Sequence, residues 1–428
     1  MIGSRRMKVI SPEDPAYDSV RHVYSSTGSP ARVFLPTTTA EVAEALTTSR
    51  ETGRALAIRS GGHGISSIST NVGGDVIDLR AMHRVDHLGG RRVRVGPGAR
   101  WGAVARALEP HGLAISSGDS GDVGVGGLAT TGGIGLLGRS HGLTIDHLRS
   151  AEVVTADGTT HLVSESHEPD LYWAIRGAGA NVGIVTSFEF EAAKVPAVVQ
   201  VTAVYQPANL TEFLREWGST LEAAPRSVSA FLYLGGGPRA FAQATIVFDG
   251  DDVNLAGAAI DPFLRLPGLA GQRGVVTTYA NVPLTSGEPH TGQQGATTHS
   301  GLLNHLDGDT SASIADLLQS SGADMVQLRS VGGAINDVDA SATAYAHRHQ
   351  LISATAVSLR GGARFDSAWA PVHQHMDGLY LSFESDHRAE HVLEAFPPAT
   401  LERLRRVKSA WDPDDVFKQN FDVSAPLP

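Results

Sequence analysis

The sequence predicts an α+β protein in two parts. The first has short strands and few long helices; the second is built on a large antiparallel sheet with helices on one face. Three observations predict this. Asp157-Gly158 lies between the β-rich runs 152–155 and 160–163, a strong hairpin signal. After Pro196 the runs that alternate apolar and polar residues become long and frequent. Helix-like runs are interleaved with those strands, which places helices against the sheet.

Taken in order, residues 1–35 are mixed and turn-rich. Thr38-Thr39-Ala40-Glu41 has capping-box spacing and opens a helix with Val42, Ala45 and Leu46 inward, ending at Gly53. Short strands follow at 55–59, 75–79 and 92–95. A helix over 101–110 places Val104 and Leu108 on one face and stops at Gly112. A strand at 113–116 leads into a glycine-rich passage, 118–142. Beyond the hairpin come a short helix at 169–175 and a strand at 182–191. In the second part, strands are expected at 199–205, 228–234, 241–248, 275–279, 325–328, 351–359 and 379–383. Helices are expected at 210–223, 253–264, 311–319 and 368–376. The polar stretch 285–304 reads as a long loop of the kind that forms lids or pockets. A basic helix over 400–410 ends at Asp412-Pro413. The resulting divisions are 1–195, 196–395 and a C-terminal segment, 396–428.

At 428 residues the chain buries a sizeable core, and 41% hydrophobic with 18% charged residues is an ordinary globular balance. A formal charge of −11 with scattered arginines excludes a sequence-independent grip on nucleic acid. The absence of cysteine excludes disulfides, thiolate metal sites and a cysteine nucleophile. The basic start, Met1 to Lys8, is followed by no apolar segment, and no run of about 18 apolar residues exists. A soluble, cytoplasmic protein without a membrane span is expected.

Two stretches carry chemistry. Arg59-Ser60-Gly61-Gly62-His63-Gly64 ends a short apolar strand, and its glycines let backbone N–H groups approach a ligand such as a pyrophosphate. Its histidine can serve as a hydrogen-bond partner, a base or a covalent anchor; the bland alternative is a turn with an incidental histidine. The passage from Gly118 to Gly135 satisfies loose dinucleotide patterns twice, but no buried strand precedes either. Gly118-Asp119-Ser120-Gly121 mimics a serine-protease nucleophile segment without the accompanying two-barrel pattern. The passage is best read as tight turns beside a large, flat or charged ligand. The pairs His347/His349 and His373/His375 lack a convincing third metal ligand, so surface or core histidine is the better reading.

In order and spacing these pieces resemble the FAD-linked oxidases of the vanillyl-alcohol oxidase / p-cresol methylhydroxylase superfamily, berberine-bridge-enzyme-like branch. The resemblance runs through Arg59–His63, Val123–Gly127, Gly132–Gly135, Arg139–Asp146, Ala151–Gly158, Asp170–Gly177, Asn181–Thr186, Ala344–Arg348 and Trp411–Asn420. It implies a two-part FAD-binding domain of the p-cresol methylhydroxylase type and a separate substrate domain. It makes His63 the covalent anchor to the 8α-methyl of FAD. Ser120 stands where many relatives carry a second, cysteinyl attachment, so His63 alone is expected to hold the flavin. The pyrophosphate would lie against the glycine loops. Arg59, Ser60, Gly61, Gly62, Gly64, Ser120, Gly121, Val123, Gly126, Gly127, Gly132, Gly133 and Gly135 are the expected cofactor contacts, together with Val185 and Asn420.

The resemblance further implies hydride transfer to flavin, a protein base for the adjacent O–H or N–H proton, and dioxygen reduced to hydrogen peroxide. Val123, small at the family's oxygen gate, favours an oxidase. The branch's usual glutamate base, six residues before Arg348, is Ala342 here, and its Y-x-N segment is Tyr380-Leu381-Ser382. Tyr380 is therefore the first candidate acid/base and Glu384 the next, with Gln327 and Arg329 orienting substrate and His141 near the ring. The expected partner is a small aromatic or polycyclic alcohol, amine or hydroquinone. Flavin oxygenation, or sequestration of a redox-active compound, are the alternative functions; oligomeric state is left open.

Overall fold

Three large sheets and a two-stranded one, Leu113–Ala114 with Ala193–Lys194, are formed in a computed structural model that describes residues 7–237 and 241–424; the basic segment Met1 to Arg6 lies outside them. Strands Lys8–Ile10, Arg32–Leu35, Asp75–Asp78 and Leu56–Arg59 form the first sheet in that spatial order, the last three parallel. Parallel neighbours need a crossover. Helix Thr39–Arg50 supplies one, capped by Thr38 Oγ1, which accepts from Glu41 N, and burying Val42, Ala45 and Leu46.

The second sheet is antiparallel, ordered Val85–Gly89, Arg92–Val95, Ile184–Glu191, Leu148–Val154, Thr160–Ser164. The hairpin at Asp157-Gly158 is present, with Gly158 at φ 84° and Asp157 accepting from Thr155 Oγ1 and Thr159 N. Helices Trp101–Leu108 and Pro169–Ala178 pack onto this sheet. Helix Pro398–Trp411 returns to the same core through Leu401, Leu404 and Val407. Its end is fixed from inside: buried Lys408 Nζ lies 2.5 Å from Asp412, whose carboxylate also accepts from Val416 N and Phe417 N.

The third sheet has seven antiparallel strands, ordered Leu269–Thr277, Val198–Tyr205, Phe241–Asp249, Val228–Gly235, Met325–Ser330, Ile352–Ser358 and Thr297–Leu303. Helices Leu210–Ala223, Val253–Leu264, Gly308–Gln319 and Ala363–His373 cover one face, where Phe213, Trp217, Phe263 and Phe365 join its apolar side chains. The other face meets the glycine passage, Phe231 and Leu302 packing with Ile134, Leu137, Tyr345 and Tyr380. This is the expected α+β fold with helices on one face of a large antiparallel sheet. Among the described residues no helix is long and apolar enough to cross a membrane.

Strand Val85–Gly89 and helix Ala389–Ala395 lie outside the expected elements, and two further differences bear on the site. Thr297–Leu303 is an edge strand, although its polar composition reads as loop; it is buried almost throughout, and its backbone is met from the following chain, Glu384 accepting from Ser300 N beside the His299 ring and Ser385 bonding the Thr298 backbone. The run 379–383 is not a strand: Leu381–Phe383 forms a 3₁₀ turn that seats Tyr380 and Phe383 against the glycine passage. The sheet's open face is tied to the first part by a buried ion pair. Arg348 Nη1 and Nη2 each reach an Asp146 oxygen at 2.9 Å, and Asp146 also accepts from Leu143 N. Truncating the arginine strands a largely buried carboxylate. Arg348→Ala is expected to lose roughly 3–5 kcal/mol of stability, measured as a shift of the urea midpoint at constant slope.

Candidate active site

The site starts where two glycine loops touch. Gly61 and Gly124 pack backbone to backbone: a Cβ on Gly61 would stand 2.5 Å from Gly124 N, and one on Gly124 would stand 2.2 Å from Gly61 N. Ser60 Oγ closes the junction, donating to Pro97 O at 2.5 Å and accepting from Gly126 N at 3.1 Å. Arg59 is turned into the core, bonded to Val20 O, Ser69 O and Asp78, so it braces the loop from behind. Gly62 takes φ 67° and brings His63 out at the junction, where its ring stacks on Tyr24 with centroids 4.3 Å apart.

The stretch 283–296 closes over this histidine. It is pinned by the glycine passage: Leu284 pairs with Ser120, Gly121 N donates to Leu284 O, and Asp122 accepts from Ser286 N and Oγ at 2.7 and 2.9 Å. His290 thereby stands edge-on to His63, 5.5 Å between centroids. Burial lowers the His63 pKa, and burial with the nearby His63 and Arg100 lowers that of His290 to about 4, so both rings are neutral at pH 7.

A polar cluster stands on the open sheet face. Asp119 accepts from Tyr233 Oη at 2.6 Å and Gln327 Nε2 at 2.8 Å, with Arg329 Nη2 at 3.4 Å. Burial pushes the Asp119 pKa up, but Arg329, Tyr233 and Gln327 outweigh it and hold the carboxylate below its ordinary range. Burial and the adjacent Asp119 push the Tyr233 phenol well up. The Arg329 guanidinium lies 3.8 Å from the Phe383 ring centroid. Beside it, Gly133 N donates to Tyr380 Oη at 3.0 Å, and Gly132, at φ 136°, lets the ring approach where a side chain would collide.

Of the residues named from sequence, the fold brings Tyr380, Gln327 and Arg329 to this face. Glu384 is elsewhere, at the sheet's edge: it accepts from Ser300 N at 3.0 Å and Asp386 N at 2.8 Å, and lies 3.3 Å from His299 Nδ1. His141 Nε2 sits 2.8 Å from Asp249, at the end of a strand, and not in the cluster. Asn420 Nδ2 reaches Ala180 O and Phe417 O, holding the C-terminal segment to the first part, and Val185 is buried in the second sheet. The H-x-H rings diverge: His347 meets Ala395 O and His349 meets Asp377, while His373 meets Glu394 and His375 meets Ser313.

Asp119, Tyr233, Tyr24 and His290 escaped the sequence reading. Asp119 stood in plain view as a turn residue, and the alternation of 228–234 puts Tyr233 beside Phe231, but only strand pairing says which face meets the loops.

The donor set suits a large, flat, oxygen-rich cofactor such as FAD. It offers a neutral imidazole, glycine backbone with no heavy atom within 4 Å of an added Cβ at Gly64 and Gly127, and an enclosed, unpartnered Asn420 Oδ1. Residues 30–164 match the model of an FAD binding domain. A stretch of 193 residues is 34% identical to (R)-6-hydroxynicotine oxidase from Paenarthrobacter nicotinovorans, spanning 44% of this chain and 42% of that protein. The crystal structure of 6-hydroxy-D-nicotine oxidase from Arthrobacter nicotinovorans superposes with a TM-score of 0.87 at 24% identity, over 98% of both chains. A glucooligosaccharide oxidase from Acremonium strictum, described with a 6-S-cysteinyl, 8α-N1-histidyl FAD, gives 0.86 at 23% identity over 99% of this chain and 98% of its own. The chain thus carries a segment that matches an FAD-binding domain, and it shares its overall fold with these oxidases.

The histidine at the sheet edge generates a pH prediction. Burial opposes charge on His299, but Glu384 and Asp366, on either side of the ring, outweigh it and raise its pKa above the ordinary value. A raised folded pKa stabilises fully below about pH 6.5 and loses that stabilisation as pH rises through the folded value. The stability gap between the wild type and His299→Gln is therefore expected to shrink as pH rises from about 6 to about 9, read from paired urea titrations.

Proposed function

We propose that the chain is an FAD-dependent oxidase whose flavin is bound covalently, through its 8α-methyl, by His63 alone. The observation that carries this reading is the setting of His63: a neutral, partly buried ring stacked on Tyr24 beside two interlocked glycine loops. A neutral imidazole keeps a free nitrogen lone pair, the form able to bond to an electrophilic carbon. Support also comes from the doubly attached flavin of the Acremonium strictum relative. With Ser120 in place of a thiol, this chain has no cysteine for a second attachment.

Residues 1–195 with the returning segment 396–428 make up the FAD-binding part in this reading, and 196–395 the substrate part. FAD bound there supplies a two-electron acceptor for a substrate hydride and passes the electrons to dioxygen, giving hydrogen peroxide. Ser60, the glycines of both loops and Asn420 would hold it by close backbone approach. Tyr380 is the acid/base: Gly133 N–H fixes its oxygen, leaving the hydroxyl proton and a lone pair for exchange with a substrate O–H or N–H. Gln327 and Arg329 orient the substrate from the sheet. The aromatic surroundings, Phe231, Tyr345 and Phe383, fit a small aromatic or polycyclic alcohol, amine or hydroquinone.

Two measurements test this. After acid denaturation the wild type should show a fluorescent flavin band in a denaturing gel, and His63→Ala should lose it; a wild type whose flavin is released by acid refutes covalent attachment. Tyr380→Phe should keep the flavin band while anaerobic flavin reduction slows by about 10²- to 10⁴-fold.

A further inference from the structure

We infer that the open sheet face beside Asp119 recognises a carboxylate on the substrate, with Arg329 as its charged donor and the hydroxyls of Ser353, Thr355 and Ser300 as neutral ones. This deepens the oxidase reading by naming a substrate class for the same site, and rests on it.

Strand register assembles the patch. Arg329 lies opposite Ser353, and Gln327 opposite Thr355, which in turn lies opposite Ser300. Side chains alternate along a strand, and Leu328 and Ala354 belong to the helix-side core. The polar residues between them therefore share the face that meets the glycine passage.

These groups are enclosed but unsatisfied. Arg329 is 4% exposed, yet its Nε and Nη1 have no acceptor, and the hydroxyls of Ser300, Ser353 and Thr355 have no partner. A buried polar group left unpaired costs about 1–3 kcal/mol, and a charged one more. Asp119 does not complete the guanidinium: its single contact is 3.4 Å long, and its carboxylate already accepts shorter bonds from Tyr233 and Gln327. A neutral ligand oxygen would satisfy the hydroxyls but leave the cation incompletely paired. A carboxylate supplies two acceptor atoms and a charge, and Phe383, stacked on the guanidinium, offers a surface for a planar ring attached to it.

The test is calorimetric titration of the purified full-length protein with benzoate and with benzamide, which share a ring and differ in charge. Benzoate is expected to bind about tenfold or more tightly than benzamide, and Arg329→Gln to erase that difference. Equal binding of the two ligands overturns the proposal. So does an Arg329→Gln protein that loses flavin yet keeps the benzoate preference, which would assign the arginine to the cofactor. Should Arg329→Gln fail to fold, Ser353→Ala with Thr355→Val keeps the cation. That double variant must weaken benzoate by about threefold or more, and unchanged affinity overturns the proposal. The oxidase reading fails separately: a protein that prefers benzoate but binds no flavin upholds the anion site and refutes the cofactor.

Discussion

The contact between Gly61 and Gly124 is the constraint on which the rest of the site depends. Two loops distant in sequence meet there backbone to backbone, and a single methyl group on either would force them apart. Ser60 adds polar closure by joining both Pro97 and Gly126. With the loops locked, the left-handed turn at Gly62 has one way to deliver His63, and the passage 118–122 has one way to run across the sheet. Asp119 and Asp122, three residues apart, then face opposite duties. One engages the sheet through Tyr233, Gln327 and Arg329; the other holds the 286–287 turn that carries His290 over His63.

This arrangement divides the molecule's buried polar groups into two kinds. The structural ones find partners within the chain: Arg59 with Asp78, Arg348 with Asp146, Lys408 with Asp412, Glu384 with His299 and Ser300. The patch around Arg329 is buried to a similar degree and left incomplete. Arg59 and Arg139 each leave one nitrogen without a partner, whereas Arg329 leaves two, beside the unpaired hydroxyls of Ser300, Ser353 and Thr355 on the same face, so this patch holds donors ready for something that binds there. The same contrast separates Tyr380, which retains exchange capacity beside a glycine backbone, from Tyr172 and Tyr279, whose hydroxyls are committed to carbonyls.

Much of the architecture was legible because it follows local rules. The Thr38 cap, the left-handed Gly112 stop, the Asp157-Gly158 turn and the alternating strands of the large sheet all reflect interactions within a few residues of chain. The misread segments are those where long-range contacts dominate. Thr297–Leu303 becomes a strand through pairing with Ile352–Ser358, and Leu381–Phe383 becomes a turn because Ser385 bonds the Thr298 backbone at the sheet edge. Glu384 and His141 illustrate the same limit for the site. Each is a plausible acid or base by type, and each is drawn to a partner far away in sequence, His299 and Asp249.

The sequence by itself determined the α+β class, the glycine loops and the histidine between them, and the lack of any thiol, since these depend on residue identity and short-range spacing. Only the tertiary structure decided which polar residues meet. The pairing of 325–330 with 228–235 and 352–358 sets which side chains of each strand face the loops, and a shift of one residue would send Arg329, Gln327 and Tyr233 to the helix side. That register is held by the apolar side chains on the opposite face, whose burial against the helices outweighs the cost of leaving the Arg329 patch unpaired.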